Sequence, residues 1–166
     1  MEFKRFSAGE FSYGSDDPEK VDYAPGVTNV NFHDPKFDEC LKDAQHQNHQ
    51  NLKDFIEALG VCHTVITETK YTNDNKPYIV YNASSPDELA LVNGARHLGF
   101  GFRERDDDQN MIIDSWEGER KYKLLNIIEF DSTRKRMSVI VRDSDGKIML
   151  FCKGADSIIE KRLIPG

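Results

Sequence analysis

The spacing of hydrophobic residues along the chain alternates between a helical period and a strand period. Two helical stretches open on a cap residue followed by proline: Asp34 with Pro35, and Ser85 with Pro86. Gly60 is expected to end the helix that lies between them. The pattern therefore predicts helices over residues 34–44, 52–60, 85–98 and 155–163.

Apolar runs of strand length occupy much of the remaining chain. They predict strands over residues 26–32, 61–66, 77–82, 100–104, 111–116, 119–130, 137–142 and 147–153. In the longest of these strands, alternation puts Tyr122, Leu124, Ile128 and Phe130 on one face and Leu125 and Ile127 on the other.

The connections between these elements define the expected architecture. Residues 68–76 are polar and predict a loop, and residues 1–25 predict an extended, partly mobile lead-in. Short turns join the later strands, which favours antiparallel pairing. We therefore expect an α+β fold in which helices flank a twisted antiparallel sheet of about six strands. A chain of 166 residues fits one domain, residues 1–166.

Composition excludes several classes of function. The net charge of −7 disfavours nucleic-acid binding, and no apolar run approaches the length of a membrane span, so we expect a chain that is not inserted in a membrane. Three scattered cysteines argue against a disulfide framework. No Ser/His/Asp or Cys/His set has supporting context, and no metal-ligand spacing occurs, so we predict neither a catalytic residue nor a protein-held metal.

Candidate chemistry concentrates around the predicted hairpin whose turn is residues 143–146. Antiparallel pairing would bring the aromatic Phe130 and the basic residues 134–136 close to Lys153 and Gly154. A ring and cations at neighbouring strand ends suggest a nucleotide site. Each feature also has an ordinary reading: Phe130 as core, Lys153 as a solvated residue and Gly154 as a turn.

Three further residues could complete such a site. Ser132 offers a hydroxyl, Lys135 a flexible cation for phosphate, and Glu88 an acceptor for the adenine amino group. Glu88 has a competing interpretation, because Ser85 and Glu88 also form a capping-box pattern. No Gly-rich phosphate loop is present, so any nucleotide would be held in another way.

Three segments resemble the nucleotide-binding domain of P-type ATPases, in the form typical of the type IV branch, the phospholipid flippases. They are Ser-Pro-Asp-Glu-Leu-Ala-Leu-Val at residues 85–92, Glu-Phe-Asp-Ser with Arg-Lys-Arg-Met-Ser-Val at residues 129–139, and Cys-Lys-Gly-Ala-Asp at residues 152–156. Val-Cys-His-Thr-Val at residues 61–65 and the opening residues 1–14 fit the same branch.

This resemblance implies a module that holds ATP, with Mg²⁺ on its phosphates, and presents it to an aspartate in a separate domain. Phe130 would stack on adenine, Lys153 and Gly154 would line the pocket, and Glu88 would contact the base. Ser132 and Lys135 would lie nearer the sugar and phosphates. The implied partners are ATP and the other domains of a parent membrane ATPase, on its cytoplasmic side.

The resemblance also implies a fragment. The family's phosphorylated aspartate, in an Asp-Lys-Thr-Gly-Thr motif, would lie upstream of Met1, and a further nucleotide-contacting arginine beyond the end of the chain. We expect an excised, C-terminally truncated domain that is monomeric in isolation and binds ATP without hydrolysing it. The alternatives are a P-type ATPase with another cargo, or a non-catalytic interaction domain of the same fold.

Overall fold

The computed structural model describes residues 1–15 and 22–164, and its centre is a five-stranded antiparallel sheet from the second half of the chain. Two small two-stranded sheets accompany it. The strands are β1 (Phe6–Ala8), β2 (Phe11–Tyr13), β3 (Ile66–Tyr71), β4 (Pro77–Asn82), β5 (Phe100–Arg105), β6 (Asn110–Ser115), β7 (Gly118–Ile128), β8 (Arg136–Arg142) and β9 (Ile148–Gly154). The helices are α1 (Pro35–Lys42), α2 (His49–Val61), α3 (Pro86–His97) and α4 (Asp156–Ile159), which a 3₁₀ turn (Glu160–Arg162) continues.

The predicted fold class is confirmed. The large sheet is a meander in the order β5-β6-β7-β8-β9, and every pair in it is antiparallel. Helices α2 and α3 pack against each other and against β5. The core includes fully buried side chains from the three central strands: Met111, Ile113, Tyr122, Val139 and Val141.

Local signals located the starts of α1 and α3 correctly, whereas α2 begins at His49, three residues before its predicted start. The Asp34 carboxylate accepts a hydrogen bond from the Lys36 amide at 2.9 Å, and the Ser85 hydroxyl accepts one from the Asp87 amide at 3.2 Å. Gly60, expected to end α2, instead lies inside it. A side chain at Gly60 would collide with the ring of Phe100, so this glycine allows α2 to approach β5 closely.

The alternation predicted for the longest strand is wrong beyond Leu124, because β7 contains a bulge. Its pairing passes from Leu124 opposite Val141 to Asn126 opposite Ile140, which leaves Leu125 without a partner. One extra residue reverses every side chain that follows it. Ile127 therefore packs against the core, and Ile128 is 38% exposed.

The beginning of the chain is more structured than expected. Strands β1 and β2 form a hairpin within residues 1–15, and it buries Phe6 and Tyr13. Residues 16–21 of the expected lead-in lie outside the described residues. The strand predicted over residues 26–32 is absent: Val30 makes a single parallel bridge to Phe3, and Phe32 is buried without strand pairing.

Two other boundaries differ from the prediction. Residues 62–65 form a turn rather than a strand. The first four residues of the expected loop, 68–71, belong to β3, which pairs in register with the correctly predicted β4. Most side chains of β3 are exposed on both faces and polar, so its sequence lacks the apolar alternation that indicates a strand. Tyr81 of β4 connects this ribbon to the main sheet by donating a hydrogen bond to the Phe102 carbonyl at 2.7 Å.

Candidate functional site

The hairpin β8–β9 brings the predicted residues to one end of the sheet. Its turn is closed by a hydrogen bond from the Gly146 amide to the Asp143 carbonyl at 3.1 Å. In the resulting register Met137 lies opposite Lys153, and Arg136 lies opposite Gly154. The loop before β8, which carries Phe130, therefore lies at the same end as Lys153.

Glu88 is the buried anion of this region. Only 7% of the residue is exposed, and its Oε1 lies 3.3 Å from Lys153 Nζ. The Thr64 amide donates to Oε1 and the Thr64 hydroxyl to Oε2, each at 3.0 Å. Ser85 caps α3 as predicted, but the Glu88 carboxylate turns toward Thr64 and Lys153 rather than back toward the Ser85 amide.

A cavity of about 880 Å³ opens beside this cluster. Four of the six candidate residues line it: Glu88, Phe130, Lys153 and Gly154. Phe130 is 61% exposed, so the alternative reading of this residue as core is wrong. A ring that solvent reaches at the edge of a cavity is available for stacking.

Ser132 and Lys135 do not line the cavity; they lie on the exposed loop between Phe130 and β8. Asp131 shapes this loop, since its Oδ1 accepts hydrogen bonds from the Thr133 and Arg134 amides at 2.8 Å each. These hydrogen bonds lower the pKa of the Asp131 carboxyl. Lys135 adopts a left-handed backbone, with φ of 52°.

Gly154 is required by the protein's own packing. A Cβ at this position would lie 2.5 Å from the Lys135 carbonyl oxygen and 2.6 Å from Arg136 Cβ. The close approach that glycine permits is therefore between β9 and the start of β8. It fixes the distance between Lys153 and the loop that bears Phe130.

Nine residues that line the cavity were not among the predicted site residues: Met1, Thr64, Ser84, Ser85, Asp87, Leu91, Glu129, Met137 and Ala155. Leu91 was missed because no local signal connects α3 with the hairpin. Thr64 was missed because the turn that carries it was predicted to be a strand. Met1 reaches the cavity through the pairing of Phe3 with Val30.

The described residues contain neither a metal-binding cluster nor a membrane-spanning helix. In residues 1–15 and 22–164, no group of three His, Cys, Asp or Glu side chains is arranged to hold a metal ion. Over the same ranges, no helix has the length and apolar character needed to cross a membrane.

Comparison with known proteins identifies the family. Residues 51–163 match the family model described as P-type ATPase, cytoplasmic domain N. The chain is 43% identical, over 98% of its length, to phospholipid-transporting ATPase DRS2 of Saccharomyces cerevisiae. It is 38% identical, over 99% of its length, to phospholipid-transporting ATPase IC of Xenopus tropicalis and, over the same share, to phospholipid-transporting ATPase ID of Mus musculus.

The chain spans only 12 to 14% of the length of these relatives. The matches cover 98 to 99% of this chain. The chain belongs to the P-type ATPase cytoplasmic domain N family, in the branch represented by phospholipid-transporting ATPases.

Proposed function

We propose that this chain is the ATP-binding module of a phospholipid-translocating ATPase, and that it presents Mg-ATP to an aspartate in a separate domain. The observation that carries the proposal is the cavity that joins the exposed Phe130 ring to the buried Glu88–Lys153 pair. Its volume, about 880 Å³, falls within the range of small-molecule sites.

Each residue has a distinct role in this proposal. Phe130 stacks on the adenine face, and Glu88 accepts a hydrogen bond from the adenine amino group. Lys153 and Gly154 form the adjacent wall. Ser132 and Lys135, on the loop outside the cavity, face the sugar and the phosphates.

The same proposal assigns magnesium to the nucleotide rather than to this chain. Among the described residues, no group of three His, Cys, Asp or Glu side chains is arranged to hold a metal ion. Mg²⁺ would therefore arrive on the ATP phosphates, and its remaining ligands would come from the separate domain. The proposal extends to a parent membrane protein that translocates phospholipid, because the relatives are named phospholipid-transporting ATPases, and to a cytoplasmic location of the module, because the matching family model describes a cytoplasmic domain.

Alanine at Phe130 tests the proposal. Stacking of a base on an aromatic ring is worth about 1–3 kcal/mol, so Phe130→Ala should weaken Mg-ATP binding at least about fivefold in isothermal titration. Tyr71→Ala is the matched control, because Tyr71 is an aromatic residue of nearly equal exposure, 62% against 61%, and does not line the cavity. Equal ATP affinity in wild type and Phe130→Ala would favour a non-catalytic interaction domain.

A further inference from the structure

The turn between α2 and β3, Cys62 to Val65, contacts Glu88 through Thr64, and through Cys62 it contacts β9, the strand that carries Lys153. Three of its residues, Cys62, His63 and Val65, are at most 2% exposed. His63 Nε2 donates to the Gly60 carbonyl at 3.1 Å, and its Nδ1 accepts from the Val65 amide at 3.1 Å. A buried ring bonded at both nitrogens gives this turn one fixed shape.

Thr64 projects from this rigid turn onto Glu88. Its amide and its hydroxyl bind different oxygens of one carboxylate, which sets the orientation of the carboxylate plane. A carboxylate has about four lone-pair sites. Two hydrogen bonds from Thr64 and one contact from Lys153 occupy three of them, so one site on Oε2 stays open.

Cys62 connects the same turn to the strand that carries Lys153. Its thiol donates to the Phe151 carbonyl, with 3.6 Å between sulfur and oxygen, on the open edge of β9. Burial raises the pKa of the Cys62 thiol to about 11, which keeps the proton needed for this bond. The turn therefore holds both sides of the Glu88–Lys153 pair.

We propose that Thr64 is a positioning residue for base recognition, one that aims the open lone pair of Glu88 at the exocyclic amino group of adenine. This inference rests on the proposed ATP-binding function. Guanine presents a carbonyl oxygen where adenine presents that amino group, so an oriented Glu88 carboxylate favours ATP over GTP. Thr64 touches no reacting atom; it acts through Glu88.

The test compares the affinities of Mg-ATP and Mg-GTP for wild type, Thr64→Val and Thr64→Ser by isothermal titration. Valine keeps the shape of threonine and removes its hydroxyl. We expect Thr64→Val to weaken ATP binding about three- to tenfold and to leave GTP binding nearly unchanged, because one of the two hydrogen bonds that orient the Glu88 carboxylate is lost. Thr64→Ser should restore the preference for ATP. A purely structural role would lower stability and leave the ATP-to-GTP ratio unaltered.

Non-additivity is the second criterion. In a Glu88→Gln background, Thr64→Val should change ATP affinity little further, because the carboxylate that it positions is gone. If Thr64→Val does not fold, the role of Thr64 is tested in the wild-type protein. Saturation with Mg-ATP should shift the Thr64 amide resonance in NMR spectra, and an unmoved resonance would overturn the inference.

These experiments distinguish the proposed role of Thr64 from the proposed ATP-binding function. ATP binding that is sensitive to Phe130→Ala, with an ATP-to-GTP ratio unchanged in Thr64→Val, overturns the role of Thr64 and leaves the proposed function intact. Wild-type protein that binds no ATP overturns both.

Discussion

Acidification from pH 7 to pH 5 is expected to destabilise the folded chain through His63. This ring is fully buried. Burial, reinforced by the nearby positive charge of Lys153, lowers the pKa of His63 to about 3. The neutral ring accepts a hydrogen bond from the Val65 amide through Nδ1, and a protonated ring has no acceptor to offer there.

The sign follows from the proton uptake of the two states. An unfolded histidine binds a proton below about pH 6.5, whereas the folded one stays neutral until about pH 3. The free energy of unfolding therefore falls as the pH drops through this window, by about 1.4 kcal/mol per pH unit at its steepest. Between pH 7 and pH 5 the loss is about 2 kcal/mol.

Urea unfolding of wild type and His63→Asn at pH 7, 6 and 5 measures this effect. Asparagine keeps an acceptor oxygen near the position of Nδ1 and does not titrate. The variant should be less stable at pH 7, because it loses the bond to the Gly60 carbonyl. The difference in free energy of unfolding between the two proteins should narrow by about 2 kcal/mol at pH 5. Titration of the carboxylates contributes equally to both proteins and cancels in this difference.

A gap that stays constant from pH 7 to pH 5 would refute the reasoning. It would mean that the folded protein takes up a proton at His63 as readily as the unfolded chain does. NMR titration of the His63 ring in the folded protein provides an independent check, because the neutral ring should persist at pH 5.

Three further predictions follow from the geometry of the site and its loop. Gly154→Ala should lower the free energy of unfolding by about 1–3 kcal/mol and also weaken ATP binding, because the new methyl group forces β8 and β9 apart. Gly146→Ala is the control: space around Gly146 is open and only its φ is unfavourable, so this variant should lower the melting temperature without changing ATP affinity. Asp131→Ala should speed hydrogen exchange of the Thr133 and Arg134 amides, whereas Asp131→Asn, which keeps an acceptor oxygen, should retain most of the protection. The isolated chain should release no phosphate from ATP in a colorimetric assay, and steady release would contradict the placement of the chemistry in another domain.

Elements with strong local signals were predictable from sequence. The caps at Asp34 and Ser85 marked the starts of α1 and α3, and the Asp-Gly pair at 145–146 marked the β8–β9 turn. The helix caps and the hairpin turn each depend on residues that are close together in the sequence. The same locality explains why the hairpin end of the site was found from sequence.

Features determined by distant contacts were missed. The bulge at Leu125 leaves no trace in an alternating apolar run, and β3 is a strand because β4 pairs with it, despite its polar sequence. Glu88 shows the same limit at the site. The local pattern indicated a helix cap, and its actual partners, Thr64 and Lys153, lie 24 and 65 residues away along the chain.

The Glu88–Lys153 pair also bears on the rate of nucleotide exchange. The buried Glu88 carboxylate is compensated by groups of the chain itself, the Lys153 ammonium and Thr64. Departure of a nucleotide therefore uncovers no unpaired buried charge, which would be expensive to leave behind. A pocket of this kind favours a short dwell time over tight retention, which suits a module proposed to hand its nucleotide to another domain in every cycle.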